Sequence, residues 1–487
     1  MLSDHYFGDV EAIDEGRNHS EYFDSTFIAP SSLALSSLNN RNKYIVVGRK
    51  GSGKTAVQFH LAREVERRGY LHHFFSFYND LTPQDLNSAA STQKIDLVQV
   101  SNPKNLFLNY DFRLVWERTF FVKLAEVLSG AGLKSAFTSF AIGERSRLSG
   151  LFDGILKTAS VKISAEYVGI AAEVGFDFSK MSNDEVSLSQ YCAVLRELFK
   201  RHHTVERAFL FVDELVFSKV DKKADEIRVR AAMVRDIFRV ARDLNNFFHQ
   251  NDLDFHIITS VRPEIRDLIC ESDAEINKIF DGKSVLLSWD MGLESDSLLF
   301  RLFKQKVIHS RQRLAPLSFS DFVDQSISFG KRSYSLEEFI RINTWSRPRD
   351  VVQLLNAISF KSPNAERIGV NQVKQALNEF SRRSFVEVTE EISVRHGSLV
   401  AATLRASIKK PRYTYFDEFK REVLNAFASK PEIDRELLLD DLFQFGVIGN
   451  WNKQDSRFYW AHRGEEFFDK TQGVAIHEGL WNYFNIR

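Results

Sequence analysis

Short apolar runs alternate with longer stretches of helical periodicity along most of this chain. Tyr44-Ile45-Val46-Val47 is apolar and β-branched at successive positions, the pattern of a strand buried on both faces. After Thr55 the apolar residues recur at helical spacing, with Val57, Leu61 and Val65 on one face. His72-His73-Phe74-Phe75-Ser76-Phe77-Tyr78 predicts a second strand ending at Asn79-Asp80, and its paired histidines lack further ligands at metal spacing. Residues 114–128 read as a helix. Alternation at Val161, Ile163 and Ala165, then at Val174, Phe176 and Phe178, predicts an inserted β-hairpin. Residues 184–201 form an amphipathic helix behind the capping candidates Ser182 and Asn183. Phe209-Leu210-Phe211-Val212 is an apolar strand running into Asp213-Glu214, and residues 226–248 are a long helix. Phe255 to Val261 is another buried strand, and Val285-Leu286-Leu287-Ser288-Trp289 is the last of the set.

A helical region starts at Leu298. Within it, Pro348 suits a first helical turn, and Val351, Leu354 and Leu355 point into a core. Beyond about residue 380 the pattern changes. Two helices, 415–427 and 434–445, are followed by Gly446 in a helix-ending position. Val447-Ile448-Gly449-Asn450-Trp451 and Arg457-Phe458-Tyr459-Trp460 then flank a polar turn. Helices followed by such a two-stranded wing predict a winged-helix domain.

At 487 residues the chain exceeds one compact core, so two to four units are expected. Lys+Arg and Asp+Glu are both 65, which argues against a global affinity for nucleic acid or membrane. Residues 371–487 repeat the balance, 17 basic against 17 acidic, and the second helix there carries Asp434, Glu436, Asp440 and Asp441. That is a poor surface to offer phosphate, so the wing is expected to serve packing or protein contact. Arg228, Arg235, Arg239 and Arg242 recur at helical spacing. A solvated or ion-paired face is the plainer reading; a basic stripe for a partner, or an arginine supplied to a neighbouring subunit's nucleotide, is the sharper one. Two cysteines without metal spacing, no signal-peptide pattern at the start and no membrane-length apolar run lead us to expect a cytoplasmic protein with no membrane association.

The chemistry centres on Gly48-Arg49-Lys50-Gly51-Ser52-Gly53-Lys54-Thr55, which fits G-x-x-x-x-G-K-[ST]. It stands between a strand and a helix, the order a phosphate-binding P-loop requires. Its glycines let backbone N–H groups curl around phosphate oxygens, and the helix beginning near Ala56 adds its partial positive charge. Lys54 would reach the β- and γ-phosphates and Thr55 would ligate Mg²⁺, so ATP and Mg²⁺ are the expected cofactors. Asp213-Glu214 has the form of the acidic strand end that accompanies such a loop. Asp213 would hold the metal through water, and Glu214 would polarise the attacking water. Thr259 or Ser260 suits a sensor of the γ-phosphate, with Arg262 a phosphate-facing charge. In Arg347-Pro348-Arg349-Asp350, Arg349 is the first choice for an arginine that reports phosphate state and Arg347 the second; a structural cap is the plainer alternative. Tyr22, Phe23 or Phe27 would either cover an adenine or dock the N-terminal arm. Asn452-Lys453-Gln454-Asp455 matches a guanine-reading motif but lies in the wing turn. Leu148-Ser149-Gly150-Leu151 is too short for a transporter-ATPase signature.

Together, the glycine loop, Asp213-Glu214, Thr259-Ser260-Val261-Arg262, the Arg347-Pro348-Arg349-Asp350 motif and the wing resemble the AAA+/STAND branch of P-loop ATPases, a layout shared by origin-recognition-type initiators. With Phe7-Gly8-Asp9, Tyr22-Phe23-Asp24 and Gly479-Leu480-Trp481, the chain is similar to a bacterial family of stand-alone P-loop ATPases found in mobile elements and anti-phage defence loci. The resemblance implies an α/β fold with a P-loop NTPase parallel sheet core flanked by helices, a helical lid and a C-terminal winged-helix domain. It also implies that the strand at 255–261 lies between the two nucleotide-binding strands. The expected divisions are an arm over 1–40, a core over 41–290 with the hairpin at about 155–182, a lid over 291–378 and the winged helix over 379–487. The expected function is a regulatory ATPase whose nucleotide state controls homo-oligomer assembly or engagement of a partner effector protein. The alternatives are a nucleic-acid-handling ATPase and an ATP-stabilised scaffold with negligible turnover.

Overall fold

The computed structural model describes residues 1–30, 35–76, 111–143, 160–162, 165–176, 185–202, 207–213, 224–270, 273–289, 297–311, 316–329, 332–431 and 433–486. Glu214, the strand end at Asn79-Asp80, the caps Ser182 and Asn183, Phe178, the 148–151 segment and the Arg228 side chain fall outside them. The chain forms two compact units. One comprises Ser32–Lys50 and Lys54–Leu287; the other comprises Met1–Ser31, Gly51–Gly53 and Ser288–Arg487.

The first unit is built on a five-stranded sheet. Its strands are β1 (Ile45–Val47), β2 (Leu71–Ser76), β3 (Ala208–Asp213), β4 (Phe255–Val261) and β5 (Ser284–Leu286), in the order β2-β3-β4-β1-β5. Every pairing is parallel, in registers such as Phe75 with Val212, Val212 with Thr259 and Val46 with Ser260. The strand at 255–261 thus lies between β1 and β3, as expected. β3 and β4 are buried at every position, which explains their unbroken apolar sequences. Helices α1 (Lys54–Arg67), α2 (Arg113–Gly130), α3 (Leu188–His202), α4 (Ala224–Gln250) and α5 (Pro263–Cys270) are among those that share its core. Phe121, Phe137, Phe199, Phe248 and Phe255 pack there as a continuous aromatic cluster.

The inserted region differs from the expected hairpin. Ser160–Lys162 pairs antiparallel with Glu185–Ser187, and Ala165–Glu173 between them is a helix. Ala171 on this helix and Val174 just past its end are both buried against the core, so the segment packs as a helix where the sequence alternates. Nor is the arginine series on α4 an open basic stripe. Arg235 is buried with Asp236, Arg239 reaches Asp236 and Asp273, and Arg242 pairs with Asp243.

In the second unit the N-terminal segment is strapped onto α6 (Leu298–Ile308) and α7 (Pro348–Lys361). Tyr22 is buried and its hydroxyl donates to the Lys306 carbonyl (3.0 Å), while Lys306 Nζ pairs with Glu15. Burial lowers the Lys306 ammonium pKa, and the Glu15 carboxylate opposes that shift. Asn356 Nδ2 donates to the Gly8 carbonyl (3.0 Å). Tyr22 and Phe23 thus dock the arm on its own unit.

Helix α8 (Val370–His396) runs unbroken through residue 378, the expected boundary between lid and winged helix. Ile358, Phe380, Phe385 and Leu442 share one hydrophobic cluster with residues from the arm to the C-terminus. The C-terminal region contains α9 (Arg435–Gln444), capped by Asp434, and ends α9 with Gly446 at φ +71°. Its strands are β6 (Arg412–Tyr413), β7 (Ile448–Asn452), β8 (Arg457–Tyr459) and β9 (Gly473–Ile476). They form an antiparallel sheet in the order β6-β9-β7-β8, so the expected two-stranded wing is one edge of a four-stranded sheet. Among the described residues, no helix is long and apolar enough to cross a membrane.

Candidate functional site

Strand β1 delivers the chain into the glycine loop, and α1 begins at Lys54 on its far side. Gly51 and Gly53 adopt φ of +79° and +88°, a region that side chains resist, which is the physical requirement for glycine there. Lys54 Nζ donates to the carbonyls of Gly48 (2.7 Å) and Arg49 (3.1 Å), so the ammonium folds over the start of the loop. Lys50 precedes the turn, and Ala56 lies in the first turn of α1.

The acidic strand end meets this helix. Thr55 Oγ1 donates to Asp213 Oδ2 (2.5 Å), and Ser260 Oγ donates to Asp213 Oδ1. Asp213 and Ser260 are buried. Gln58 Nε2 reaches the Val212 carbonyl (3.3 Å), a second tie between α1 and β3. The three residues come from α1, β3 and β4, and the parallel register places their ends side by side. Two hydroxyls around one buried carboxylate form a hard-oxygen donor set of the kind a small divalent cation takes.

Thr259 and Arg262 behave differently. Thr259 Oγ1 donates to the Tyr44 carbonyl (3.3 Å), at the entrance of β1, and so secures the sheet away from Asp213. Side chains alternate along a strand, which is why Ser260 and not Thr259 meets the carboxylate. Arg262 heads α5 and lies 3.7 Å from Glu264.

The middle of the loop, Gly51–Gly53, belongs to the second unit. The Arg349 amide donates weakly to the Gly51 carbonyl (3.4 Å), and Trp289 Nε1 donates to the Ser52 carbonyl (2.8 Å). A methyl on Gly51 would meet Arg349 Cβ at 3.1 Å. Ser52 Oγ is buried and has no hydrogen-bond partner among the described residues. An orphaned hydroxyl beside backbone curled by two positive-φ glycines is a cradle that fits a phosphate.

The two arginines of the 347–350 motif part company. Arg347 caps α7 and is buried, with its guanidinium on Asp350 (2.8 Å and 3.1 Å) and over the Trp345 ring (5.4 Å). Asp350 also accepts from the Trp345 amide (2.8 Å). Burial pushes the Asp350 carboxyl upward, against the pull of the Arg347 guanidinium. Arg347 is therefore committed to the fold. Arg349 is partly exposed and has a looser contact, 3.9 Å to Glu387. Sequence reading missed Asp350 and Glu387 as partners of these arginines. For Asp350 the signal was present, because an acid three residues after an arginine at a helix start sits on the same turn.

Residues 297–389 match a family model described as a FunZ-associated C-terminal helical domain. The matched segment contains α6, α7, both arginines and Glu387. No curated protein matches this chain.

Proposed function

We propose that this chain is a P-loop ATPase of the AAA+/STAND type that binds ATP with Mg²⁺ and hydrolyses it. Its nucleotide state would govern assembly or engagement of a partner protein, in anti-phage defence by the resemblance of its motifs. The observation that carries this reading is the contact of Thr55 and Ser260 with the Asp213 carboxylate, directly after a glycine loop with two positive-φ residues. Loop amides and Lys54 would bind the phosphates, and Thr55 and Asp213 would hold the metal. Magnesium, when bound, supplies neutralisation of charge on the phosphate oxygens. Ser260 orients Asp213, and Glu214 is the residue assigned to accept the proton of the attacking water. The helices and antiparallel sheet of the C-terminal region are read as a winged helix for protein contact.

Binding of a fluorescent ATP analogue and release of phosphate test this directly. Lys54→Ala is expected to lose nucleotide binding. Asp213→Asn is expected to lose the magnesium dependence of binding, and Glu214→Gln to bind ATP without hydrolysing it. Unchanged ATP affinity in Lys54→Ala would falsify the site. A scaffold without turnover would show phosphate release no faster in the natural chain than in Glu214→Gln.

A further inference from the structure

Glu387 on α8 faces both arginines of the 347–350 motif, at 3.8 Å from Arg347 and 3.9 Å from Arg349. Arg347 is already neutralised by Asp350, which is fully buried and would be stranded if the guanidinium left. Only Arg349 is free to exchange partners. Its backbone lies against Gly51 in the loop, and its Nε is buried with no hydrogen-bond partner among the described residues. The carboxylate opposite it is fixed in place, because Gln353 Nε2 donates to Glu387 Oε1 at 2.5 Å.

We propose that Glu387 is a positioning residue that holds the Arg349 guanidinium in reserve, and that a phosphate held in the Gly51–Gly53 cradle of the same unit must take Arg349 from it. This rests on the nucleotide reading above. Two anions compete for one cation, so the carboxylate sets how much of the attraction between Arg349 and phosphate appears as affinity. Gln353 keeps Glu387 from following the arginine, and the Arg347–Asp350 pair keeps the helix start from moving with it. The substrate class is a nucleoside triphosphate, and the reserve tunes its affinity without touching the bond that breaks.

The test is the affinity of the full chain for a fluorescent, non-hydrolysable ATP analogue with Mg²⁺, with thermal melting of each variant as the folding control. Arg349→Ala is expected to bind about fivefold more weakly and Glu387→Gln roughly threefold more tightly, the scale of one partly exposed ion pair. In the Arg349→Ala background, Glu387→Gln should change nothing. Should Glu387→Gln not fold, Glu387→Asp serves instead. Its shorter carboxylate draws back from Arg349, and about twofold tighter binding is expected, again only when Arg349 is present. Weaker or unchanged binding in Glu387→Gln, or equal tightening with and without Arg349, would overturn the reserve role while Lys54-dependent binding survives. Absence of binding by the natural chain would instead remove the nucleotide reading, and the inference with it.

Discussion

Gly479 stands where the backbone of the C-terminal segment passes too close to a neighbour for any side chain. A Cβ there would lie 2.5 Å from the Asn343 carbonyl oxygen and 3.0 Å from the Trp345 ring. That ring is held by Arg347 at 5.4 Å and by His477 stacked at 4.0 Å, and its Nε1 donates to the Gly446 carbonyl (2.9 Å). Nothing around the glycine can retreat without disturbing a buried ion pair or a stacked ring. Gly479→Ala is therefore expected to cost about 2–3 kcal/mol in urea unfolding, the scale of an overpacked core. Gly464 provides the comparison. Its φ is +95° and a methyl there meets nothing within 4 Å, so Gly464→Ala should cost only about 1 kcal/mol, from backbone strain alone. Equal losses in the two variants would mean that the close approach to Asn343 has room to relax.

At the scale of elements, helix α7 makes the roles of its two arginines measurable. Arg347→Ala leaves Asp350 buried without its cation and is expected to destabilise the chain by about 3–5 kcal/mol. Arg349→Ala breaks a partly exposed contact at 3.9 Å and should cost less than about 1 kcal/mol. Denaturant midpoints of the two variants check the contrast, and similar losses would contradict it. The start of α7 was legible because Pro348 and the apolar 351–355 spacing are local signals, as was the order β1, glycine loop, α1. What escaped the sequence depends on packing. The 161–178 stretch has apolar residues at both strand and helix spacing, and the helix at Ala165–Glu173 forms with Ala171 buried in the core. β6 and β9 are too short to announce themselves, and they pair with residues distant in sequence. The arginines of α4 looked like a surface face because their acids, Asp236 beside them and Asp273 beyond the helix, are partners that spacing alone does not assign. Asp213 was legible from its place at a strand end, but its choice of Ser260 over Thr259 came from the register of β3 and β4.

Each of the two units encloses an uncharged histidine, and that gives the whole molecule a common response to acid. His256 on β4 is buried edge-on between Tyr44 and Phe209, with its pKa pushed by burial down to about 3. His477 in the other unit is buried between Trp345, Trp460 and His462. Burial, followed by the Arg463 and Arg347 charges, holds it well below the usual histidine value. Both are neutral when folded and take up a proton near pH 6.5 when unfolded. The unfolded chain binds more protons below that value, so stability is full above about pH 6.5 and falls as the pH drops. The slope is about 1.4 kcal/mol per pH unit for each histidine, continuing for His256 toward its folded value near 3. Urea unfolding at pH 7.5, 6.5 and 5.5 reads this window before most carboxylates begin to titrate. His256→Phe fits among aromatic neighbours, and His477→Asn keeps an acceptor for the Gly479 amide that His477 Nδ1 now receives. Each substitution should flatten the pH dependence by about 1.4 kcal/mol per unit below pH 6.5, whatever it does to stability at neutral pH. An unchanged slope would mean that the imidazole in question is reached by water and protonated without unfolding its unit.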